Sequence, residues 1–482
     1  MIVLVAAAYG AEPYAEVDAA LASKDFPGAA DKALAIAEDT AKPGLAGGAY
    51  ARIGDAFDGQ KQPYAAVLAW ARAIAAEPKQ ADRVGGLALL RAQALGDEAA
   101  IAAALVGVDL TAVEPGVRSR LALACARERA RAGEWGAALE RIDQIDKKSH
   151  EFPSGQLIKG IVLANQGRPG DALAPLLTAE ALVKADVNDD AARLQDLVEL
   201  NLARAYYASG NDAKAIYYDA KVERMAPEWP EVQLERAWAH FRIDDPAGSL
   251  AALQNHETGF LADGWWPEAD LLRIYDLFVM CKFTTADERL EAFKAQWTTP
   301  SQDLTSAVAA STAASAWTDL AKHGGGTLPD PLLSRFWGTE GTEDALRAVA
   351  KADAEIAALS ASSSPSSSRA TAWLQARRDA VQATEGARVL AYAQSQEKFV
   401  RDALVNAEIT KLDILQFQTR LLERAAATGL APTLGDGVGD LRKEREKRGF
   451  RTWAYEGESW ADELGYYAYD VRPDCPEGLR VR

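Results

Sequence analysis

YARIGDAFDGQKQPYAAVLAWARAIAAEP, residues 50–78, decides the fold. Small and apolar residues recur at helical spacing in its first half and again in its second half: Tyr50, Ile53, Gly54 and Phe57, then Ala66, Trp70 and Ala73. A turn separates the two halves, and Pro78 ends the second one. The pattern predicts two helices packed face to face, with small residues where they cross so that their backbones approach closely.

The same pattern returns along the first 257 residues. Its aligned small residue recurs at Ala29, Ala66, Ala138, Ala172 and Ala215, with degenerate copies at Ile101 and Ser249. The steps are 37, 35, 37, 34, 43 and 34 residues. A helix pair of this length can bury its apolar face only against neighbouring pairs, so a fixed period indicates a stacked helical array.

The segment 50–78 resembles the repeat of the tetratricopeptide-repeat (TPR) family, and the chain resembles a bacterial member of it. The resemblance covers about residues 15–257 as seven helix pairs, three of them degenerate. It departs from the family at Leu89 and Ala237, which replace the first-helix glycine, and in a lengthened region at 180–195. It implies an all-α, TPR-like α-solenoid of helix-turn-helix repeats over residues 12–298.

The remaining chain divides by composition. We expect a connecting region of helices and loops at 299–341, a long helical hairpin at 342–428 with a Ser-rich loop at 360–368, and a linker with a short irregular tail at 429–482. Pro267 suits the first turn of a helix. Late in the hairpin, apolar residues follow heptad-like spacing, which favours self-association: Val405, Leu412, Leu415 and Leu422.

The N-terminus and the cysteines bear on localisation. Residues 1–11 are apolar and end near small residues, so they are interpreted as a truncated signal peptide, or else as the buried first turn of a cytoplasmic helix. Export would place the protein in the periplasm or envelope; the alternative is the cytoplasm. In an exported protein Cys281 and Cys475 can form a disulfide, whereas Cys125 lies in an apolar helical pattern. No other stretch is apolar for long enough to span a bilayer.

Charge and motifs disfavour several functions. A formal net charge of −17 disfavours nucleic acid and anionic lipid as partners. The HGGG at 323–326 has no G-x-S-x-G to complete a lipase site, and phosphate-loop, zinc-protease and C-x-x-C motifs do not occur. Glycosidases act with pairs of carboxylates that flank the bond to be cleaved. The tail carboxylates Glu458, Asp462 and Glu463 lie within one short segment, and the sequence offers no second cluster to face them. We therefore expect no catalytic residues, metal or cofactor.

The resemblance implies that the first helix of each pair lines a concave groove. The groove-lining residues that could bind a partner are Arg120, Arg127, Arg131, Asn165, Arg204, Tyr207, Trp238, Phe241 and Arg242. Arginine binds carboxylates and aromatic rings supply rigid apolar area, so a protein segment with acidic and apolar groups is the expected partner. This predicts a non-enzymatic protein-protein interaction scaffold in a bacterial envelope assembly. Alternatively, the arginines are solvated or paired with acidic neighbours and Trp238 fills an inter-repeat core.

The tail FRTWAYEGESWADELGYYAYDVRPDC, residues 450–475, is rich in aromatic residues and acids. Repeat arrays need a terminal cap, and aromatic rings can pack while their polar atoms stay hydrogen-bonded. We expect internal docking through Trp453, Tyr455, Trp460, Tyr466 and Tyr467, with the acids available to groove arginines. Partner binding is the alternative for the tail. For the whole protein, the alternative is a self-associating structural spacer whose groove holds its own tail.

Overall fold

The computed structural model describes residues 13–184, 189–339, 341–429 and 460–469, together with residues 447, 449, 458, 473 and 475. Within these residues every regular element is a helix, which confirms the all-α prediction. None of the described helices combines the length and the apolar character that crossing a membrane requires. The predicted signal segment 1–11 lies outside the described residues, as do positions 185–188 of the lengthened region.

Twenty α-helices follow one another in the described ranges. Those of the first half are α1 Ala15–Ala22, α2 Phe26–Ala37, α3 Ala46–Gly59, α4 Pro63–Ala76, α5 Gly86–Leu95, α6 Ala99–Ala104, α7 Pro115–Arg131, α8 Trp135–Ile142, α9 Phe152–Asn165 and α10 Pro169–Val183. Those of the second half are α11 Asp189–Ala208, α12 Asp212–Asp219, α13 Trp229–Arg242, α14 Pro246–Leu253, α15 Pro267–Val279, α16 Phe283–Ala310, α17 Ala313–Ala321, α18 Asp330–Trp337, α19 Thr342–Ser360 and α20 Pro365–Thr428. Short helical turns of other types cover Pro43–Leu45, Ala81–Gly85 and Gln254–Glu257.

The chain forms two compact units, and each takes segments from distant parts of the sequence. The first unit comprises Met1–Arg168, Ala174–Leu182 and Glu340–Thr384. The second unit comprises Pro169–Leu173, Val183–Thr339 and Glu385–Arg482.

Consecutive helices pack against each other in the first unit. The pair of α3 and α4 contains most of the segment 50–78 from which the repeat was predicted. Phe57, Tyr64 and Trp70 are completely buried between these helices and their neighbours. A Cβ atom on Gly54 would lie 2.2 Å from the indole of Trp70. Glycine at this position therefore allows α3 and α4 to approach, as the sequence predicts.

A buried polar network joins the C-terminal segment of the first unit to α4. The Asp97 carboxylate accepts hydrogen bonds from the Tyr64 hydroxyl and from Nε of Arg377, the latter at 2.7 Å. The Glu355 carboxylate of α19 accepts from the backbone N–H groups of Tyr64 and Ala65 at 2.8 and 2.9 Å. These groups lie in the first turn of α4, whose own N–H groups have no intrahelical acceptor. Burial raises the pKa of Glu355 to about 7 against the opposing effect of the two N–H groups.

The second unit repeats the packing of consecutive helices from α11 to α16. The later part of α20 lies along α16, where the rings of Phe283 and Phe417 are stacked at 6.1 Å. Lys411 of α20 contacts Glu291 and lies 3.5 Å from Asp287. The sequence-predicted start of α15 at Pro267 is confirmed.

Two boundaries differ from the predicted ones. The predicted boundary between residues 298 and 299 falls inside α16, which continues through Pro300 to Ala310. One missing backbone hydrogen bond is outweighed there by an apolar face that carries on with Trp297 and Leu304, both buried. The Ser-rich loop is shorter than 360–368, since α20 begins at Pro365 with Ser364 accepting from the N–H of Ser367 at 3.1 Å.

Replacing Arg377 with alanine should destabilise the first unit. The variant leaves the Asp97 carboxylate buried without its cation, and breaking one side of a buried ion pair typically costs about 3 kcal/mol or more. Urea denaturation followed by circular dichroism would measure this loss. Arg378→Ala is the matched control, because the neighbouring guanidinium pairs with the exposed carboxylates of Asp353 and Asp379 and should cost less than about 1 kcal/mol. Equal losses in the two variants would contradict the role assigned to the buried network.

Candidate functional site

Arginine and aromatic side chains meet on one face of the second unit, which we call the α11–α13 face. It consists of Arg204, Tyr207, Trp238, Phe241 and Arg242. Arg204 and Tyr207 are three residues apart on α11, and Trp238 and Arg242 are four apart on α13, so each pair shares a helix face. Tyr207, Trp238 and Phe241 are half-buried and Arg242 is exposed.

Stacking and hydrogen bonds hold these side chains in place. The Arg242 guanidinium lies 4.1 Å above the ring of Tyr207 and donates to the Tyr207 carbonyl at 3.1 Å. Its Nε is 3.3 Å from a carboxylate oxygen of Asp212. Trp238 and Phe241 meet edge to face at 5.9 Å. The face is therefore a preorganised surface that combines cationic and aromatic groups.

Carboxylates of α13 and α15 accept hydrogen bonds from side chains of this face. Arg204 donates from Nη2 to Glu235 at 2.6 Å, and Nε1 of Trp238 donates to Glu268 at 2.7 Å. Burial raises the pKa of Glu268, and the Trp238 hydrogen bond opposes this shift. Arginine pairing with acidic neighbours is what the alternative interpretation expects. The pairs remain partly open to solvent, since the Arg204 side chain is 47% exposed.

The remaining predicted groove residues belong to the first unit. Arg127 donates to Glu98 at 2.7 Å, and Arg131 pairs with Glu128 three residues earlier on α7. Arg120 is exposed on the same helix. The side-chain amide of Asn165 donates to the carbonyl of Ile161 within its own helix.

The C-terminal tail lies against the second unit at another place. Arg224 donates to the carbonyls of Asp462 and Leu464, each at 3.2 Å, and the Gly465 N–H donates to Asn255 at 2.7 Å. Gly465 adopts a φ of 85°, and a Cβ atom added to it would lie 3.2 Å from the ring of Trp229. A residue with a side chain would therefore be strained at this position. The tail segment 460–469 thus docks through these backbone groups and through the Tyr469 hydroxyl, which donates to the side chain of Gln254 at 3.3 Å.

The described aromatic residues of the tail differ in how far they are buried. Trp460 is 60% exposed and Tyr466 is 74% exposed, although the Arg224 guanidinium lies 5.0 Å from the Tyr466 ring centre. Tyr467 borders a small cavity, whereas Trp453 and Tyr455 lie outside the described residues. Aromatic content reveals apolar area but not the side of an irregular segment that faces the protein. Trp460 and Tyr466 therefore remain largely exposed to solvent, and the Tyr466 ring meets the protein through Arg224.

A cavity of about 240 Å³ separates the tail from α13 and α14. The residues of α14 that border the cavity are small and do not fill it. The polar side chains that line the cavity include those of Gln233, Arg236, His240 and Asn255. Burial lowers the pKa of Arg236 and also that of His240, where hydrogen bonding to Asp245 opposes the effect. Arg224, Arg236 and Asn255 were not predicted as functional residues, because isolated polar residues in a helical pattern carry no local signal.

Cys281 and Cys475 are joined in a disulfide. Cys281 directly follows the C-terminal cap of α15, so the bond fixes the end of the tail to the second unit. Cys125 is a buried free thiol, and burial raises its pKa to about 11.

Other motifs have ordinary structural explanations in the described residues. The HGGG at 323–326 forms the loop between α17 and α18, as expected, and the Asp319 carboxylate accepts from the N–H groups that follow it. Among the described residues no group of three or more histidine, cysteine, aspartate or glutamate side chains could hold a metal ion.

The chain matches no protein-family model, and no curated protein sequence shows significant similarity to it.

Replacing Cys475 with serine should loosen the tail. The segment would then depend on a few polar contacts, each worth about 1 kcal/mol. Hydrogen exchange of the Gly465 amide, followed by mass spectrometry, should become faster in the variant. Cys125→Ala removes the free thiol and serves as the control. Unchanged exchange in Cys475→Ser would contradict the tethering role.

Stability of the second unit should fall in mild acid because of His256. This buried ring donates from Nε2 to the Pro230 carbonyl at 2.9 Å. Burial lowers its pKa to about 4 despite this hydrogen bond, and Arg273 and Arg335 lower it further. Because this pKa is below the ordinary value of 6.5, stability that is complete above pH 6.5 is lost as the pH falls towards 4.

His256→Gln tests this origin of acid sensitivity. Glutamine retains a donor for Pro230 but does not titrate, so the variant should avoid a loss of roughly 3 kcal/mol between pH 7 and pH 4. Denaturant unfolding at both pH values measures the difference. The same pH dependence in variant and wild type would exclude His256 as its source.

Proposed function

We propose that the protein is a non-enzymatic scaffold that binds a segment of a partner protein on the α11–α13 face. The observation that carries the proposal is the contact of Arg242 with Tyr207 beside the Trp238–Phe241 pair. Tryptophan, tyrosine and arginine are the residues that most often dominate protein interfaces. The fixed rings would bind the apolar side chains of the segment, and the guanidinium groups its carboxylates.

A TPR-like solenoid is the proposed framework for this surface. Its support is a series of polar contacts between side chains about one repeat apart: Arg52 with Asp18, Arg91 with Asp58, Arg127 with Glu98, Arg204 with Glu235, and Trp238 with Glu268. Their separations are 34, 33, 29, 31 and 30 residues. Equivalent positions of stacked repeats meet at this spacing. The pair Arg378–Asp353 similarly supports a hairpin of α19 and the start of α20.

An exported location is the proposed setting. Structural disulfides persist mainly in oxidising compartments, so the bond between Cys281 and Cys475 supports the periplasm or envelope over the cytoplasm. The apolar residues at the start of the sequence support the same location. The partner would then be another envelope protein with an accessible acidic and apolar segment.

A synthetic library of acidic and apolar peptides would test the binding function directly. Peptides that bind the wild-type protein would be measured by fluorescence anisotropy against Arg204→Ala and Arg242→Ala. Loss of a charge-assisted hydrogen bond should weaken each interaction about tenfold. The melting temperature of each variant checks that the fold is retained.

Arg289→Ala is the matched control for Arg204→Ala. Arg289 and Arg204 are both 47% exposed in their side chains, and each pairs with a glutamate, Glu257 and Glu235 respectively. Only Arg204 belongs to the α11–α13 face, so Arg289→Ala should leave affinity within about twofold of wild type. A library without binders, or equal losses in the two variants, would refute the proposed site.

A further inference from the structure

The cavity beneath the C-terminal tail has the composition of a small-molecule site. We call it the tail cavity, and it lies between α13, α14 and the tail residues Gly465, Tyr467 and Tyr469. Its volume of about 240 Å³ exceeds the roughly 150 Å³ of a cavity that holds benzene in another protein, so about ten non-hydrogen atoms would fit. Small side chains of α14 and the two tyrosines give it apolar walls, and α13 adds Gln233 and Arg236. Apolar walls with a few polar groups are typical of sites for small organic compounds.

Arg236 brings a positive charge to the tail cavity. Its side chain is half-buried, and its Nε is buried without a hydrogen-bond partner in the part of the chain that the structure describes. An arginine keeps its proton at neutral pH even where burial lowers its pKa, as it does here. Because a buried charge is costly unless it is paired and hydrogen-bonded, this guanidinium favours an added acceptor.

Neighbouring carboxyl groups do not supply that acceptor. Asp219 acts on Arg236, but burial raises the pKa of Asp219 to about 8, so this group is largely protonated at neutral pH. Its Oδ1 is likewise buried without a hydrogen-bond partner among the described residues. Asp245 already accepts from Nδ1 of His240 at 2.8 Å and from the N–H of Gly248 at 3.0 Å. Arg236 thus retains the capacity to bind a carboxylate from outside the chain.

A buried amide beside Arg236 adds a neutral donor. Gln233 is only 2% exposed and precedes Arg236 by three residues on α13, so the two share a face of the helix. Its Oε1 accepts from Nδ2 of Asn255 at 3.3 Å, and Oδ1 of Asn255 accepts from the N–H of Gly465 at 2.7 Å. These bonds engage the oxygen of Gln233 and leave its amide N–H groups to donate. The tail cavity therefore combines a charged donor with a neutral donor on one wall.

We propose that the tail cavity binds a small organic monocarboxylate, with its carboxylate on Arg236 and Gln233 and its apolar body between α14 and the tail tyrosines. A guanidinium can bind a carboxylate through two parallel hydrogen bonds. One guanidinium balances one negative charge, and Asp245, which contacts His240 and Gly248 in the cavity wall, would repel a phosphate dianion. The proposal does not depend on peptide binding at the α11–α13 face.

Because the tail forms one wall of the cavity, the ligand should stabilise the docked tail. Asn255 contacts both Gln233 and the N–H of Gly465, so the proposed site and the tail share one hydrogen-bond network. A compound that binds only the docked form lowers the undocked fraction by the factor 1 + [L]/Kd. At a concentration ten times its Kd, the compound should therefore slow exchange of the Gly465 amide about tenfold.

Isothermal titration calorimetry of the full chain with benzoate and benzamide tests the recognition of a carboxylate. The two probes have nearly the same shape, and only benzoate carries a charge, so benzoate should bind at least tenfold more tightly. Arg236→Gln keeps a donor but removes the charge and should weaken benzoate binding tenfold or more. Arg289→Gln is the matched control, since it makes the same change at an arginine that pairs with Glu257 and does not line the cavity. No binding of benzoate, equal affinity for the two probes, or equal losses in the two variants would overturn the proposal.

Ala251→Leu tests the cavity without altering Arg236. Ala251 lines the cavity, so the larger side chain should fill part of the space and weaken benzoate binding tenfold or more while the charge remains. Melting temperatures of the variants check that the fold is retained. Benzoate binding that Ala251→Leu leaves unchanged would place the ligand elsewhere, and unchanged exchange of the Gly465 amide with benzoate bound would exclude the tail as a wall of the site. Either result would overturn the proposal.

Discussion

The carboxylate of Asp97 sets the strongest constraint on the first unit. Its side chain is only 3% exposed, and an ionised carboxylate removed from water is costly unless it is paired and hydrogen-bonded. Tyr64 of α4, the N–H of Ala100 in α6 and Arg377 of α20 together meet that requirement. These groups must therefore come together for the unit to fold.

The position of α19 and the start of α20 follows from this constraint. Once Arg377 reaches Asp97, neighbouring residues such as Leu374 enter the same core as α4. Glu355 then caps the first turn of α4 from α19. Within the first unit α19 is thus packed against α4 and α5 rather than extended into solvent. A carboxylate cap at a helix N-terminus also complements the helix dipole.

Local structure could be predicted from the sequence, whereas distant polar partners could not. The helices α3 and α4 follow from apolar periodicity, turn residues and the glycine at their crossing. Asp97 and Arg377 are separated by 280 residues, and neither side chain stands out from the many charged residues around it. The continuation of α16 through Pro300 was not predicted, for a related reason. The gain from continuing a buried face depends on neighbours that the local sequence does not reveal.

The candidate site shows the same division between local pattern and distant contact. Repeat spacing placed Arg204, Tyr207, Trp238 and Arg242 on the first helices of neighbouring pairs, and the structure brings these four residues to one face. Glu235 and Glu268 were not predicted as their partners, although both lie about one repeat further along the chain. In a stacked array, a cationic or indole donor should be compared with acidic residues one period away. The tail lacks such a period, so its backbone anchors at Arg224 and Asn255 had no sequence signal.

The buried face and the exposed face of α20 differ in their importance for folding. Burial of Ile414 and Leu421 stabilises the second unit, and replacing either with a polar residue would leave a costly unsatisfied group or cavity. At Leu412 the same substitution would remove exposed apolar area and improve solubility without loss of packing. A chain with a net charge of −17 is otherwise well solvated, so aliphatic residues that follow heptad spacing on the solvent side have no role in folding or solubility.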